Sequence, residues 1–345
     1  MFHAPRCPYH SCSQHRAPKQ GFCVRFGSYK PRCRAHRVPR FRCKSCKRTF
    51  SRQTFRADYR DHRPHLNARL FELVTSGIGI RQSARTLKLS LRCTELKLRK
   101  LARHARRLNL NLRGPLESGA SFHLDELETY EVERNTRPLS VPLLIESECR
   151  YIVWAESAPI RPRGRMTEKR RRRIERAEKR HGARKDRSRR ALRRTLARAA
   201  ELVQDLPRVS LFTDEKSSYP GLAAEAFGKE RCVHHRTNSR IVRDERNPLF
   251  PINHEEAVLR DLLGRCRRDS WLVSKKRRFL DLALHLHMAY RNLVRRRFNG
   301  DAFSPAQRLG FVSRRLRVGE VLGWRQDWGA RSLHPLSAGA RRIGG

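Results

Sequence analysis

An excess of positive charge is what any fold of this sequence must first accommodate: 79 Lys and Arg stand against 33 Asp and Glu, a formal net charge of +46 over 345 residues. Packed into globular form, such a chain repels itself strongly unless a polyanion neutralises it, and nucleic acid is the natural candidate. A membrane surface would also attract the charge. The sequence has no run of eighteen apolar residues, however, and no apolar amino-terminal core behind a basic stub, so it reads as soluble, unsecreted and cytoplasmic. Its length allows two or three compact domains with at least one sizeable core.

In a reducing compartment, clustered cysteines hold metal more often than they form disulfides. Among the ten cysteines, Cys43-Lys44-Ser45-Cys46 has the two-residue gap that lets both thiolates of a tight turn reach one Zn²⁺. Cys7 and Cys12, with four residues between them, are expected to complete the site as a looser knuckle. Cys23, Cys33, His10, His15 and His36 lie between the pairs and remain alternatives for one of the first two ligands. Residues 1–56 thus read as a zinc ribbon with Phe41 and Phe50 in its small core, too short a segment to fold without a staple. Cys93, Cys149, Cys232 and Cys266 are scattered and read as small buried apolar residues.

Between 64 and 113, Leu66, Leu70, Leu73 and Val74 repeat at helical spacing, Gly77-Ile78-Gly79 breaks the run, and Ile80, Ala84 and Leu87 continue in a second short helix. Ser90 can cap a third, with Leu91, Leu98, Leu101, Ala105 and Leu108 apolar and Arg92, Lys97, Arg99, Lys100 and Arg103 exposed. Three helices with a basic last one fit a helix-turn-helix DNA-binding domain, those five residues being its DNA contacts. Residues 111–118, with Gly114-Pro115, read as the linker to the next domain.

The stretch 120–131 places Asp125 where a short apolar strand is expected to end. An aspartate so held can ligate a divalent cation, although acidic strand ends are commonly solvated turns. Two further strands are expected at 139–146 and 150–157. Residues 161–198 then hold 19 Lys and Arg against four acids and read as an arm contacting phosphates without sequence preference. The arm runs into an amphipathic helix marked by Leu192, Leu196, Ala199, Val203 and Leu206. Residues 209–214, Val-Ser-Leu-Phe-Thr-Asp, repeat the apolar strand closed by an aspartate. Asp125 and Asp214 on two strands, with a helix between them in sequence, are what an RNase H-like α/β sheet needs to bring two carboxylates together. A helix capped by Asn253, with Val258, Leu259, Leu262, Leu263 and Cys266 on one face, would set its amino terminus near both and offer Asn253, Glu255 or Glu256 as a third ligand.

The order of these motifs resembles that of a bacterial DDE transposase of the insertion-sequence-one superfamily with an amino-terminal zinc ribbon. The resemblance rests on Cys43-x-x-Cys46 with Arg48-Thr49-Phe50, the three helices, Asp125-Glu126, Thr213-Asp214, the Asn253-His254 helix start and Ser304-Pro305-Ala306-Gln307, and it spans most of the chain. It implies an RNase H-like core over 119–300 whose acids bind two Mg²⁺ or Mn²⁺ ions, and in-line attack on a phosphodiester by water or a DNA 3′-hydroxyl. It also implies double-stranded DNA, element ends and target, as partner, with a homo-oligomer in the DNA complex and association with the nucleoid. Such transposases usually carry a basic residue two helical turns after the third acid. Here Arg260 meets that spacing only from Asn253 and joins the expected DNA contacts, whereas Glu256 is the better hard-cation ligand. Glu256 ranks first, Asn253 second and Glu255 third. Beyond, Phe279, Leu280, Leu282, Leu284, Leu286 and Tyr290 mark a buried helix in which His285 and His287 are structural. Residues 301–345 read as a basic tail, poorly ordered from Ser332. Two rivals stand beside the transposase: a DNA-binding relative without catalysis, and an arginine-rich RNA-binding protein that leaves the paired aspartates without a purpose.

Overall fold

The computed structural model describes residues 4–325 except 32–34, 117–118, 239, 243 and 269, so Cys33 and the chain from Ser332 lie outside the described residues. The amino-terminal module has a one-turn helix α1 (Ser13–Arg16) and an antiparallel sheet of β1 (Cys23–Tyr29), β2 (Val38–Cys43) and β3 (Thr49–Ser51). Its core is small. Phe50 is buried against Phe22, Phe41 and Phe55, with ring centroids 6.3, 6.0 and 6.2 Å away, beside Cys7, Cys12 and Cys43.

Three helices follow: α2 (Leu66–Thr75), α3 (Ile80–Thr86) and α4 (Leu91–Leu112). Gly77 turns the chain after α2 at φ 81°, a conformation that disfavours any side chain. The Ser90 hydroxyl caps α4 by accepting from the Cys93 N–H at 3.2 Å. Two expectations for α4 are corrected. Leu91 is 40% exposed, because the buried stripe starts only at Thr94. Lys97 lies within that stripe and not on the solvent face. Its ammonium donates to the carbonyls of His62 and Arg63 at 2.7 and 3.2 Å and to Asn67 Oδ1 at 3.0 Å, and it pairs with Asp61 at 2.9 Å. Oxygens gathered from the segment before α2 turn an apolar position into an ammonium site.

The chain continues through β4 (Ser121–Tyr130), β5 (Pro138–Glu146), β6 (Ile152–Ala155), β7 (Ala158–Pro159), α5 (Glu168–His181), α6 (Ser188–Ala200), β8 (Val209–Asp214), α7 (Tyr219–Phe227), β9 (Cys232–Thr237), α8 (Phe250–Leu262), α9 (Arg277–Leu293), α10 (Pro305–Arg308) and α11 (Val318–Gly323). The strands form a mixed sheet in the order β6-β5-β4-β8-β9, with β7 paired to β5. β5 is antiparallel to β4 and β6, whereas β8 is parallel to β4 and β9. Helices cover both faces of this α/β unit. Phe122, Leu124 and Leu211 pack with Leu192, Leu196 and Leu222 of α6 and α7, and Leu127, Leu143 and Ile145 pack with Ile252, Leu259 and Leu284 of α8 and α9.

Several boundaries differ from expectation. β4 does not end at Asp125: β5 stays paired with it from Phe122 to Tyr130, leaving Asp125 mid-strand opposite Leu143. The basic stretch 161–198 divides in two. α5 buries no residue, while α6 buries Ala191, Leu192, Thr195, Leu196 and Ala199 in the core. The residues after α4 are no free linker, since Leu116 is buried and its N–H donates to the Leu202 carbonyl at 2.8 Å. Nor is 301–325 a tail. Leu309, Phe311, Val312, Val321 and Trp324 share one apolar cluster with α2, α4 and the sheet, and His104 of α4 bonds the Val321 carbonyl at 2.8 Å. His285 and His287 are buried on α9, and that burial lowers their pKa values to about 4 and about 3. Of the scattered cysteines, Cys266 is buried but Cys93, Cys149 and Cys232 are only partly so.

Lys97→Ala would strand the Asp61 carboxylate in a nearly closed site. Urea titration should show about 3 kcal/mol lost, against less than about 0.5 kcal/mol for Arg103→Ala on the exposed side of α4. Equal, small losses would contradict the buried role of Lys97.

Candidate functional site

The four cysteines expected as zinc ligands converge. Cys7 Sγ lies 3.7 Å from Cys46 Sγ, Cys12 Sγ lies 3.8 Å from Cys43 Sγ, and the four sulfurs all fall within 4.8 Å of one another. A tetrahedron with Zn–S bonds of about 2.3 Å has edges of about 3.8 Å, so these residues could hold one structural Zn²⁺. The knuckle is closed by the Lys47 N–H, which donates to the Cys43 carbonyl at 3.0 Å, with Lys47 itself at φ 60°. Burial drives the Cys7 thiol well above its ordinary range. In Cys43 burial acts the same way but is outweighed by the backbone N–H groups of Cys46 and Ser45 and by the Cys12 and Cys46 thiols, which bring it to about 7. Among the described residues, the alternatives Cys23, His10, His15 and His36 stand outside this group. His10 and His15 bond each other at 2.9 Å, His15 Nδ1 faces the Cys7 carbonyl at 2.7 Å, and His36 is exposed.

Strand register sets Asp125 and Asp214. β4 and β8 run parallel with His123 beside Phe212, and two residues further along each strand stand Asp125 and Asp214, on one face by the two-residue repeat. The row behind them is tightly packed: the His123 ring stacks on Phe212 at 4.7 Å, and Phe212 on His235 at 4.4 Å. His123 is fixed at both ends, by Ser147 Oγ and by the Pro248 carbonyl, each at 2.8 Å. Burial lowers its pKa to about 4, so the ring is neutral at pH 7. Asp125 Oδ1 accepts from the Glu126 N–H at 2.7 Å and Asp214 Oδ1 from the Lys216 N–H at 3.1 Å.

Glu126 points to the opposite face, where it pairs with Lys216 Nζ and accepts from the Tyr219 hydroxyl at 3.3 Å. Burial, and then the Glu126, Asp125 and Asp214 carboxylates, push the Tyr219 phenol far up. Sequence reasoning gave Glu126, Lys216, Tyr219 and His123 no role. The signal was local: Asp125-Glu126 adjacency sends two carboxylates to opposite faces, and Asp214-x-Lys216 returns an ammonium to the second.

The helix expected to bring the third ligand starts earlier than Asn253. α8 begins at Phe250 with Pro251 in its first turn, where the missing N–H does no harm, and Asn247 Oδ1 orders its approach by accepting from the Leu249 N–H at 2.8 Å. Asn253 is therefore inside the helix and half-buried, and does not cap it. Glu256, in the second turn, is in no capping box. Glu255 is fully buried and gripped by Arg291 of α9, whose Nε donates at 2.9 Å while Nη2 takes the other oxygen. Burial alone would raise its pKa, but His254 and Arg291 hold it below the ordinary value. Glu256 falls on the stripe of Ile252, Leu259 and Leu263 that meets the sheet, and Arg260 Nη2 lies 3.2 Å from it. Asp125, Asp214 and Glu256 do not form a ligand group as tight as that of the cysteines.

Of the basic residues expected to touch DNA, Arg92 and Arg103 are exposed and Arg99 and Lys100 half-buried. Arg99 lies over the Phe279 ring at 5.1 Å, Lys100 donates to the Tyr59 carbonyl at 2.9 Å, Arg260 is turned to Glu256, and Lys97 is withdrawn into the core. No helix among the described residues is long and apolar enough to cross a membrane. No protein-family model and no curated protein sequence matches the chain.

Purified protein should carry about one Zn²⁺ per chain, released by a strong chelator with loss of the amino-terminal module's circular dichroism. Cys43→Ser should lower the bound metal in the same way. A spectrum unchanged by the chelator would contradict a metal-dependent fold.

Proposed function

We propose that this protein is a DNA transposase, a polynucleotidyl transferase that cuts DNA at the ends of a mobile element and joins them to a target. The observation that carries the reading is the shared row and face of Asp125 and Asp214 on two parallel strands. The strand order, three antiparallel strands continued by two parallel ones with helices packed on both faces, supports an RNase H-like core. The net charge of +46 supports nucleic acid as substrate. The zinc ribbon and the unit of α2, α3 and α4 are assigned to element ends, and the exposed arm around α5 to phosphates without sequence preference. A homo-oligomer on DNA and association with the nucleoid belong to the same reading.

The donor set suits hard cations, with Glu256 as third ligand ahead of Asn253; Glu255 is left to the core by its pairing with Arg291. Mg²⁺ or Mn²⁺ held there would supply Lewis-acid activation of the attacking and leaving oxygens. The protein's own groups hold the frame. His123 ties β4 to the approach to α8 through the Pro248 carbonyl, and Lys216 neutralises Glu126 behind the aspartate pair. Arg260 at the edge of α8 can exchange Glu256 for a DNA phosphate. One observation favours the rival, a DNA-binding protein without catalysis: Glu256 is turned to Arg260.

The test uses labelled DNA from either side of the gene with Mg²⁺ or Mn²⁺. Nicking is expected, falling about a thousandfold or more in Asp125→Asn and Asp214→Asn, several kcal/mol of transition-state stabilisation, with DNA binding kept. Glu256→Gln should fall with them, while Glu255→Gln should instead lower thermal stability. Tight binding with no cleavage in either metal would overturn the catalytic reading in favour of its rival.

A further inference from the structure

Trp271 is 99% exposed, the most accessible large apolar side chain among the described residues. Tryptophan in folded proteins is highly buried on average, so a bare indole on a fixed loop is unusual. The chain immediately after it is anchored. Leu272 seats against Gly79 at the start of α3, so closely that a methyl on that glycine would come within 2.5 Å of it. Ser274 bridges to Glu131, its carbonyl accepts from the Val132 N–H at 3.2 Å, and its hydroxyl accepts from Arg265 at 2.9 Å. Trp271 is therefore presented from a braced position beside the α2–α3 turn.

Its surroundings are cationic. Residues 264–278 contain seven Lys and Arg against one acid, and Arg267, Arg268, Lys275, Lys276 and Arg278 are exposed. Arg99 over Phe279 links this loop to the α4 side that bears Arg92 and Arg103. An apolar protein partner would have to desolvate these charges without pairing them. A nucleic acid pairs them along its backbone, and each of its bases offers a π face to the indole.

We infer that Trp271 is a base-stacking residue: it receives an unpaired base of the DNA whose phosphates the surrounding arginines and lysines hold. This inference rests on the reading of DNA as substrate. Stacking of this kind is sequence-tolerant, so it adds a preference for DNA shape, for opened over fully paired duplex, and none for sequence.

The full-length protein is titrated by fluorescence anisotropy against a short fully paired duplex and the same duplex with an unpaired base. 2-Aminopurine at the unpaired position reports stacking. Wild-type protein should bind the opened duplex about tenfold tighter and quench the probe; Trp271→Ala should abolish both effects, and Trp271→Phe should retain most of each. An unchanged preference in Trp271→Ala overturns the inference and leaves DNA as substrate. Equal weakening on both duplexes also overturns it, as does a change in sedimentation with DNA affinity intact, which would make Trp271 a subunit contact. Wild-type protein that binds neither duplex overturns both this inference and the reading beneath it.

Discussion

The parallel pairing of β4 with β8 is the constraint on which the proposed chemistry of this fold depends. Only three residue pairs, from Ser121 and Ser210 to His123 and Phe212, define it, yet they determine where the carboxylates two residues further on stand. A slip of one residue would send Asp214 to the face of Glu126 and separate it from Asp125. Packing on both sides resists that slip. Phe122 and Leu211 lie in the core under α6 and α7, and the His123–Phe212–His235 stack fills the other face. A parallel pair also needs a long crossover, and the exposed basic arm of α5 is carried on it.

Charge is the second constraint, and the fold meets it by giving its few acids demanding positions. Glu131 serves Arg137 and Arg184, Asp301 serves Arg297 and Arg308, and Glu255 lies with Arg291 in a fully buried pair. Breaking that last pair would leave an isolated interior charge, at a cost of about 3–5 kcal/mol. Exposed Lys and Arg side chains stand on α5, on the outer side of α4 and on the loop around Trp271. Repulsion among those groups is what a bound polyanion would relieve.

Local patterns made much of this legible in sequence. The Cys43-x-x-Cys46 spacing, the breaks at Gly77 and Ser90, and the apolar strand closed by Asp214 all depend on neighbours along the chain and are found where expected, whereas the strand bearing Asp125 runs on to Tyr130. The misplaced features depend on partners far away. Lys97 looked like one more arginine-side residue until Asp61 and the loop carbonyls closed around it. Glu255 and Glu256 are indistinguishable in composition, and only Arg291, on another helix, separates them. The start of α8 was expected at Asn253, but Pro251 fits the first turn and the helix begins at Phe250. The charge of residues 301–325 hid the apolar positions, such as Phe311 and Trp324, that bind that segment to the core.

The central claim is that Asp125 and Asp214 share one cation site. Anomalous diffraction from crystals soaked in Mn²⁺ tests it most directly. A peak between the two carboxylates at about 2.1 Å from their oxygens, lost in Asp214→Asn, is the predicted result. A cation that binds elsewhere while the two aspartates hold none would contradict it.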